Sequence, residues 1–126
     1  MIGTKMQIIK NENIRPIDVD GTLICDKLDS DVHVGVHDPV TKRIIRVGVN
    51  KNMVRLLLEE KQRGSFIIVW SRGGYEWAKN VLIALDLIEK VDLVMSKPLA
   101  YFDDIPVKKW MKDRIFIGPR EKYKNG

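Results

Sequence analysis

The sequence predicts an α/β domain with a mostly parallel sheet, on three observations. Short apolar runs alternate with helical patterns along the chain. Polar or charged residues stand directly at the C-terminal ends of those runs. The run Phe66-Ile67-Ile68-Val69-Trp70 is continuously apolar and partly β-branched, which suits a strand buried in a parallel sheet. With 126 residues, 44% apolar and 31% charged, the chain is long enough for one domain with a real core. Residues 1–126 are therefore read as a single domain.

Each element has a local justification. Residues 14–18 form the first expected strand, with Pro16 tolerable only near its start. Residues 32–37 alternate apolar and polar side chains, as do parts of 43–49. Asp38-Pro39-Val40-Thr41-Lys42 between them is turn chemistry, so about 32–49 reads as a β-hairpin. Asn50 is an N-cap candidate for a helix over 51–63, with Met53, Val54, Leu57 and Leu58 as its apolar stripe and Gly64 ending it. Residues 66–70 are the next strand, followed by Ser71 and an Arg72-Gly73-Gly74 turn. A second helix is expected over 75–85, with Ala78, Val81, Leu82 and Leu85 inward. Residues 92–95, 100–102 and 114–118 complete the expected strands.

Composition narrows the functional classes. No apolar run approaches the roughly 20 residues that span a bilayer, so no membrane partner is expected. Met1 to Lys10 lacks a signal-peptide pattern, and Cys25 is the lone cysteine. Both favour a reducing, cytoplasmic setting. Residues 108–126 hold seven basic and two acidic side chains, which accounts for the whole net charge of +5. Such a tail is either a solvated face or a contact for nucleic acid.

The chemistry is concentrated in Asp18-Val19-Asp20-Gly21-Thr22-Leu23. Residues i and i+2 of a strand share a face, so both carboxylates aim at one spot. Close carboxylates repel, which suits one as an ionised nucleophile and the other as a proton carrier. In open α/β sheets, function collects at the C-terminal strand ends. Here those ends carry Asp18 and Asp20, Ser71, Lys97, and Asp103 with Asp104. Together they suit phosphoryl transfer. Asp18 would attack phosphorus and Asp20 would move the proton. Ser71 and the following turn would hold phosphoryl oxygens, and Lys97 would neutralise charge. Arg72 is a further phosphate-binding candidate. Mg²⁺ prefers oxygen ligands and would draw on Asp18, Asp103 or Asp104, and a carbonyl near Asp20.

These motifs resemble those of the haloacid dehalogenase-like superfamily. The Asp18 hexapeptide is similar to its motif I, Ser71 to motif II, Lys97 to motif III and Asp103-Asp104 to motif IV, in the family's order over residues 14–104. The Lys97-Pro98 to Asp103-Asp104 spacing is like that of small bacterial and phage phosphatases of the family. The resemblance implies a Rossmann-like three-layer sandwich with strand order 5-4-1-2-3 and a flap hairpin after the first strand. The hairpin is too small to be a full cap domain. The resemblance also implies Mg²⁺ dependence with Asp18, Asp20, Asp103 and Asp104 at the metal, and Gly21, Thr22, Ser71, Arg72 and Lys97 at the substrate. The expected activity is phosphomonoester hydrolysis through an aspartyl-phosphate. The substrate would be a nucleotide, a nucleic-acid end or a sugar phosphate. The alternative is a non-catalytic binding module whose basic C-terminus holds nucleic acid or a protein. The exposed hairpin would offer a contact surface if the chain forms a homo-oligomer. His33 and His37 share a strand face but lie roughly 13 Å apart, so they read as exposed residues and not as one metal site. Trp70, Trp77 and Trp110 read as packing groups, and Cys25 has no obvious His partner.

Overall fold

A computed structural model describes residues 5–124. Residues 1–4, the start of the Met1 to Lys10 stretch, and 125–126, the end of the basic tail, lie outside the described residues. In chain order the elements are β1 (Ile14–Asp18), β2 (Ile24–Cys25), β3 (His33–His37), β4 (Ile44–Val49), α1 (Lys51–Gln62), β5 (Phe66–Ser71), α2 (Tyr75–Ala84) and β6 (Leu93–Ser96). Short 3-10 turns lie at Lys27–Asp29, Ile88–Lys90 and Val107–Lys109.

The fold is mixed α/β. A parallel sheet runs in the order β1-β5-β6, an arrangement compatible with a Rossmann-like fold. In β5 the side chains of Ile67, Val69 and Ser71 alternate inward and are fully buried. Phe66, Ile68 and Trp70 are half-buried, so the second face is only partly covered. Ala78, Val81 and Leu82 of α2 and Leu57 of α1 are fully buried, and Met53 of α1 nearly so. They join Ile17, Val19 and Leu23 in one continuous core. Helix α1 starts where the Asn50 side chain accepts the Met53 N–H at 3.4 Å. It ends at Gly64, whose φ of +91° suits glycine.

Two expectations about the sheet need correction. Pro16 lies in the middle of β1, opposite Ile68, and not near its start. The Phe66 N–H donates to the Asn13 carbonyl at 2.8 Å. Alternation then directs the backbone groups of Arg15 and Ile17 to β5, and those of Ile14, Pro16 and Asp18 to the outer side. β1 is an edge strand, where a missing donor removes no ladder bond. Moreover, residues 100–102 and 114–118 are not strands. Of the expected order 5-4-1-2-3, only the 1-2-3 part is present among the described residues. The reason lies in the donors. Pro98 and Pro106 flank the four-residue apolar run 99–102, and a strand there would face Pro16, which has no N–H to offer. Residues 98–106 are exposed coil, and Phe102 is wholly in solvent.

The hairpin forms, but it is not a free-standing flap. β3 and β4 pair antiparallel from His33 opposite Gly48 to His37 opposite Ile44, and β2 adds to the other side of β4. Val36 is fully buried in the core, and Asn80 of α2 donates to the His37 carbonyl at 2.8 Å. The turn is closed by Asp38, which accepts from the Thr41 hydroxyl at 2.7 Å and the Val40 N–H at 3.1 Å. Those bonds, the Thr41 hydroxyl first, hold its carboxyl below the usual range.

Part of the basic tail is docked. Asn52 of α1 donates to the carbonyls of Gly118 and Glu121, both at 2.7 Å, and Asn50 donates to that of Ile117 at 2.9 Å. Tyr123 donates to Glu59 and lies under the Arg55 guanidinium, 5.8 Å from its ring centre. Residues 108–116 are exposed.

Candidate active site

The acidic hexapeptide is shaped by its apolar members. Val19 and Leu23 are fully buried, which fixes the loop and leaves Asp18 and Asp20 reachable from solvent. The Val19 carbonyl accepts the N–H groups of Thr22, Leu23 and Ile24 at 3.1, 3.0 and 3.2 Å. That tight turn requires the φ of +78° at Gly21, a conformation in which glycine carries no Cβ penalty.

Parallel register then brings the strand ends together. Asp18 is level with Trp70, and Ser71 is level with Ser96. The Lys97 N–H donates to the Ser71 carbonyl at 2.9 Å, and Lys97 Nζ reaches Asp18 Oδ1 at 3.8 Å. Both side chains are about one-third exposed, so this ion pair adds about 1 kcal/mol at most to stability. The Ser71 hydroxyl, fully buried, donates to Asp20 Oδ2 at 3.2 Å and accepts the Gly73 N–H at 3.0 Å. Asp20 Oδ1 accepts the Trp77 indole N–H at 3.1 Å. A nucleophile candidate beside a cation is thus joined, through one serine, to a carboxylate held by two donors.

The remaining expected residues divide. Gly21 and Thr22 form the turn under Asp20, with the Thr22 N–H already committed to Val19. Arg72 is exposed in the turn after Ser71 and has no carboxylate partner among the described residues. Asp103 and Asp104 are exposed in the coil, where Asp103 Oδ1 accepts the Ile105 N–H at 2.9 Å. No three His, Cys, Asp or Glu side chains gather as a metal-ligand set among the described residues. Asp18, Asp20, Asp103 and Asp104 are therefore not gathered as one set of ligands among the described residues, since the segment carrying two of them is exposed coil and not a strand of the sheet. His33 is structural: its Nε2 lies 2.7 Å from the Lys27 carbonyl and 2.8 Å from that of Ser30.

Sequence reasoning missed two contributors. Trp77 reads as packing in the sequence, yet its indole N–H donates to Asp20 and orients it. Its place in the first turn of α2, the turn that follows Ser71, was the available signal. Ser96 accepts the Tyr75 N–H at 3.0 Å and ties the start of α2 to the end of β6.

Comparison with protein-family models, with curated proteins and with solved structures finds no match to this chain.

Proposed function

We propose that this protein hydrolyses phosphomonoesters through a covalent intermediate on Asp18. What supports the reading is one observation: Asp18 and Asp20, Ser71, and Lys97 come from the ends of three strands and meet through contacts of 3.8 Å or less. An Asp18 oxygen attacks phosphorus, and the bond from phosphorus to the leaving oxygen breaks. That oxygen keeps the electron pair and takes a proton from Asp20. Asp20 then takes a proton from water as the water oxygen attacks phosphorus. The acyl phosphate bond breaks, releasing inorganic phosphate and the Asp18 carboxylate. Lys97 balances negative charge on the transferring group. Ser71 exchanges its bond to Asp20 for one to a phosphoryl oxygen, and Arg72 swings over the exposed side. No step here depends on the 5-4-1-2-3 order or on the hairpin acting as a flap.

The test is phosphate release from an aryl phosphate, with and without Mg²⁺, by the wild type and Asp18→Asn. Release that disappears in Asp18→Asn, with a phosphoryl adduct trapped on the wild type that survives acid and is discharged by hydroxylamine, supports the reading. No release by either protein with any divalent metal sinks it.

A second reading is favoured by residues 108–116. There the exposed Lys108, Lys109, Lys112 and Arg114 alternate with exposed Trp110, Met111, Ile115 and Phe116. Such a segment suits a module that holds nucleic acid or a protein partner. Salt-sensitive binding that survives Asp18→Asn but not Lys108→Ala/Lys109→Ala/Lys112→Ala would select it.

A further inference from the structure

A cleft of about 770 Å³ opens beside Asp20, between the antiparallel sheet, α2 and the 116–121 turn. Its size is that of a small-molecule site. One wall is apolar, made by Ile24, Ile45 and Val47. Two aromatic side chains, Trp77 and Phe116, line it as well. Its charged groups are Asp20, Asp26, Asp29 and Glu121 against Arg120. The Arg120 guanidinium is held by the Leu28 carbonyl at 2.7 Å, so it braces the wall. Among the charged side chains that line it, carboxylates outnumber cations by four to one, and outside the lining the Arg114 guanidinium stands 5.8 Å from the Phe116 ring centre. The far wall is fixed from α1, because Asn52 holds the Gly118 and Glu121 carbonyls.

We propose that this cleft binds the leaving-group half of the substrate, and that this half is a small organic ammonium, so that the substrate is the phosphate ester of an amino alcohol. This rests on the hydrolase reading above. Continuity carries the placement: Asp20 and Trp77 line the cleft and are bonded to each other at the reacting end. Charge carries the chemistry. Asp26, Asp29 and Glu121 attract an ammonium and repel a second phosphate while Asp20 carries the proton, and the Trp77 and Phe116 rings add cation–π and apolar contact. Nucleic-acid ends and nucleoside polyphosphates bring further negative charge into the same space. Cys25, which lines the cleft, already senses this field. Burial pushes its thiol up first, then the Asp29 and Asp26 carboxylates, with Arg120 opposing.

Because Cys25 is the only cysteine, it reports on the cleft without any catalysis. The probes are choline, glycerol and adenosine monophosphate at equal ionic strength, and the readout is the rate of Cys25 alkylation by iodoacetamide near about pH 8. Choline at about four times its dissociation constant should slow alkylation about fivefold. Glycerol and the nucleotide should leave it unchanged. Asp29→Asn should speed alkylation in the absence of ligand and weaken the protection by choline, and Phe116→Ala should weaken the protection alone. In parallel, phosphocholine should be hydrolysed with a kcat/KM about tenfold above that of glycerol phosphate or adenosine monophosphate. Protection by glycerol or the nucleotide equal to that by choline overturns the proposal. If choline protects Cys25 but no ester is hydrolysed, the cleft binds an ammonium and the hydrolase reading fails. If esters are hydrolysed without preference and choline gives no protection, the cleft proposal fails and the hydrolase reading stands.

Discussion

Asn52→Ala removes two hydrogen bonds that join α1 to residues 118–121. Both are 2.7 Å long, and Asn52 is only 7% exposed. A net loss of about 1 kcal/mol for each bond sets the scale. The Gly118 carbonyl is buried and cannot turn to water, whereas Glu121 is exposed and can. Alanine returns about half a kcal/mol through its better helix propensity at this position in α1. The expected global loss is therefore about 1.5 kcal/mol, read as a lower urea midpoint at unchanged slope. Locally the effect should be larger, because residues 118–121 lose both ties while α1 does not need them to stay helical. Trypsin can cut at Arg120, Lys122 and Lys124. Cleavage there should rise about thirtyfold under native conditions, as a local loss of about 2 kcal/mol requires. Asn52→Asp keeps the shape but faces both carbonyls with acceptor oxygens, so it should lose more than Asn52→Ala. An unchanged urea midpoint together with unchanged cleavage in Asn52→Ala would refute this account of how the tail is held.

Three further expectations follow from particular contacts. Trp77→Phe keeps most of the ring but removes the indole donor to Asp20, so urea unfolding should show a loss of about 1 kcal/mol, and phosphate release should fall as Asp20 loses its orientation. Burial alone would raise the Asp92 carboxyl, but the Ile67 N–H at 2.8 Å and Lys61 at 2.9 Å outweigh it and hold it below the usual value. A depressed carboxylate stabilises the fold above its unfolded value and loses that contribution as pH falls through the folded one. The urea midpoint should thus drop on acidification below about pH 4, and the acid-side slope should be shallower in Asp92→Asn. At Gly48 a Cβ would meet the Asp26 carbonyl oxygen at 2.6 Å and Cys25 Sγ at 3.0 Å. Gly48→Ala should therefore lower thermal stability by about 1–3 kcal/mol, measured by calorimetry.

The α/β class, both helices, the hairpin and the polar residues at the strand ends were legible in the sequence because each is written within a few residues. Alternation in 32–37 and 43–49 shows a pleated pair. Asn50 and Gly64 bracket α1. The apolar run 66–70 delivers Ser71 to a strand end. Asp18 and Asp20 are placed by a turn whose own glycine and buried neighbours lie inside the hexapeptide. The structure alone decided what happens between distant segments. A proline inside 14–18 leaves open which neighbour the strand lacks, and only the Asn13–Phe66 bond turns Pro16 to an outer edge. The apolar residues 99–102 look like a strand, but a strand needs a partner edge with donors to share. Trp77 reaches Asp20 across 57 positions and Asn52 reaches Glu121 across 69, and no local period encodes either contact. Local patterns fix which face a side chain takes, whereas such contacts depend on where two independently formed surfaces come to rest against each other.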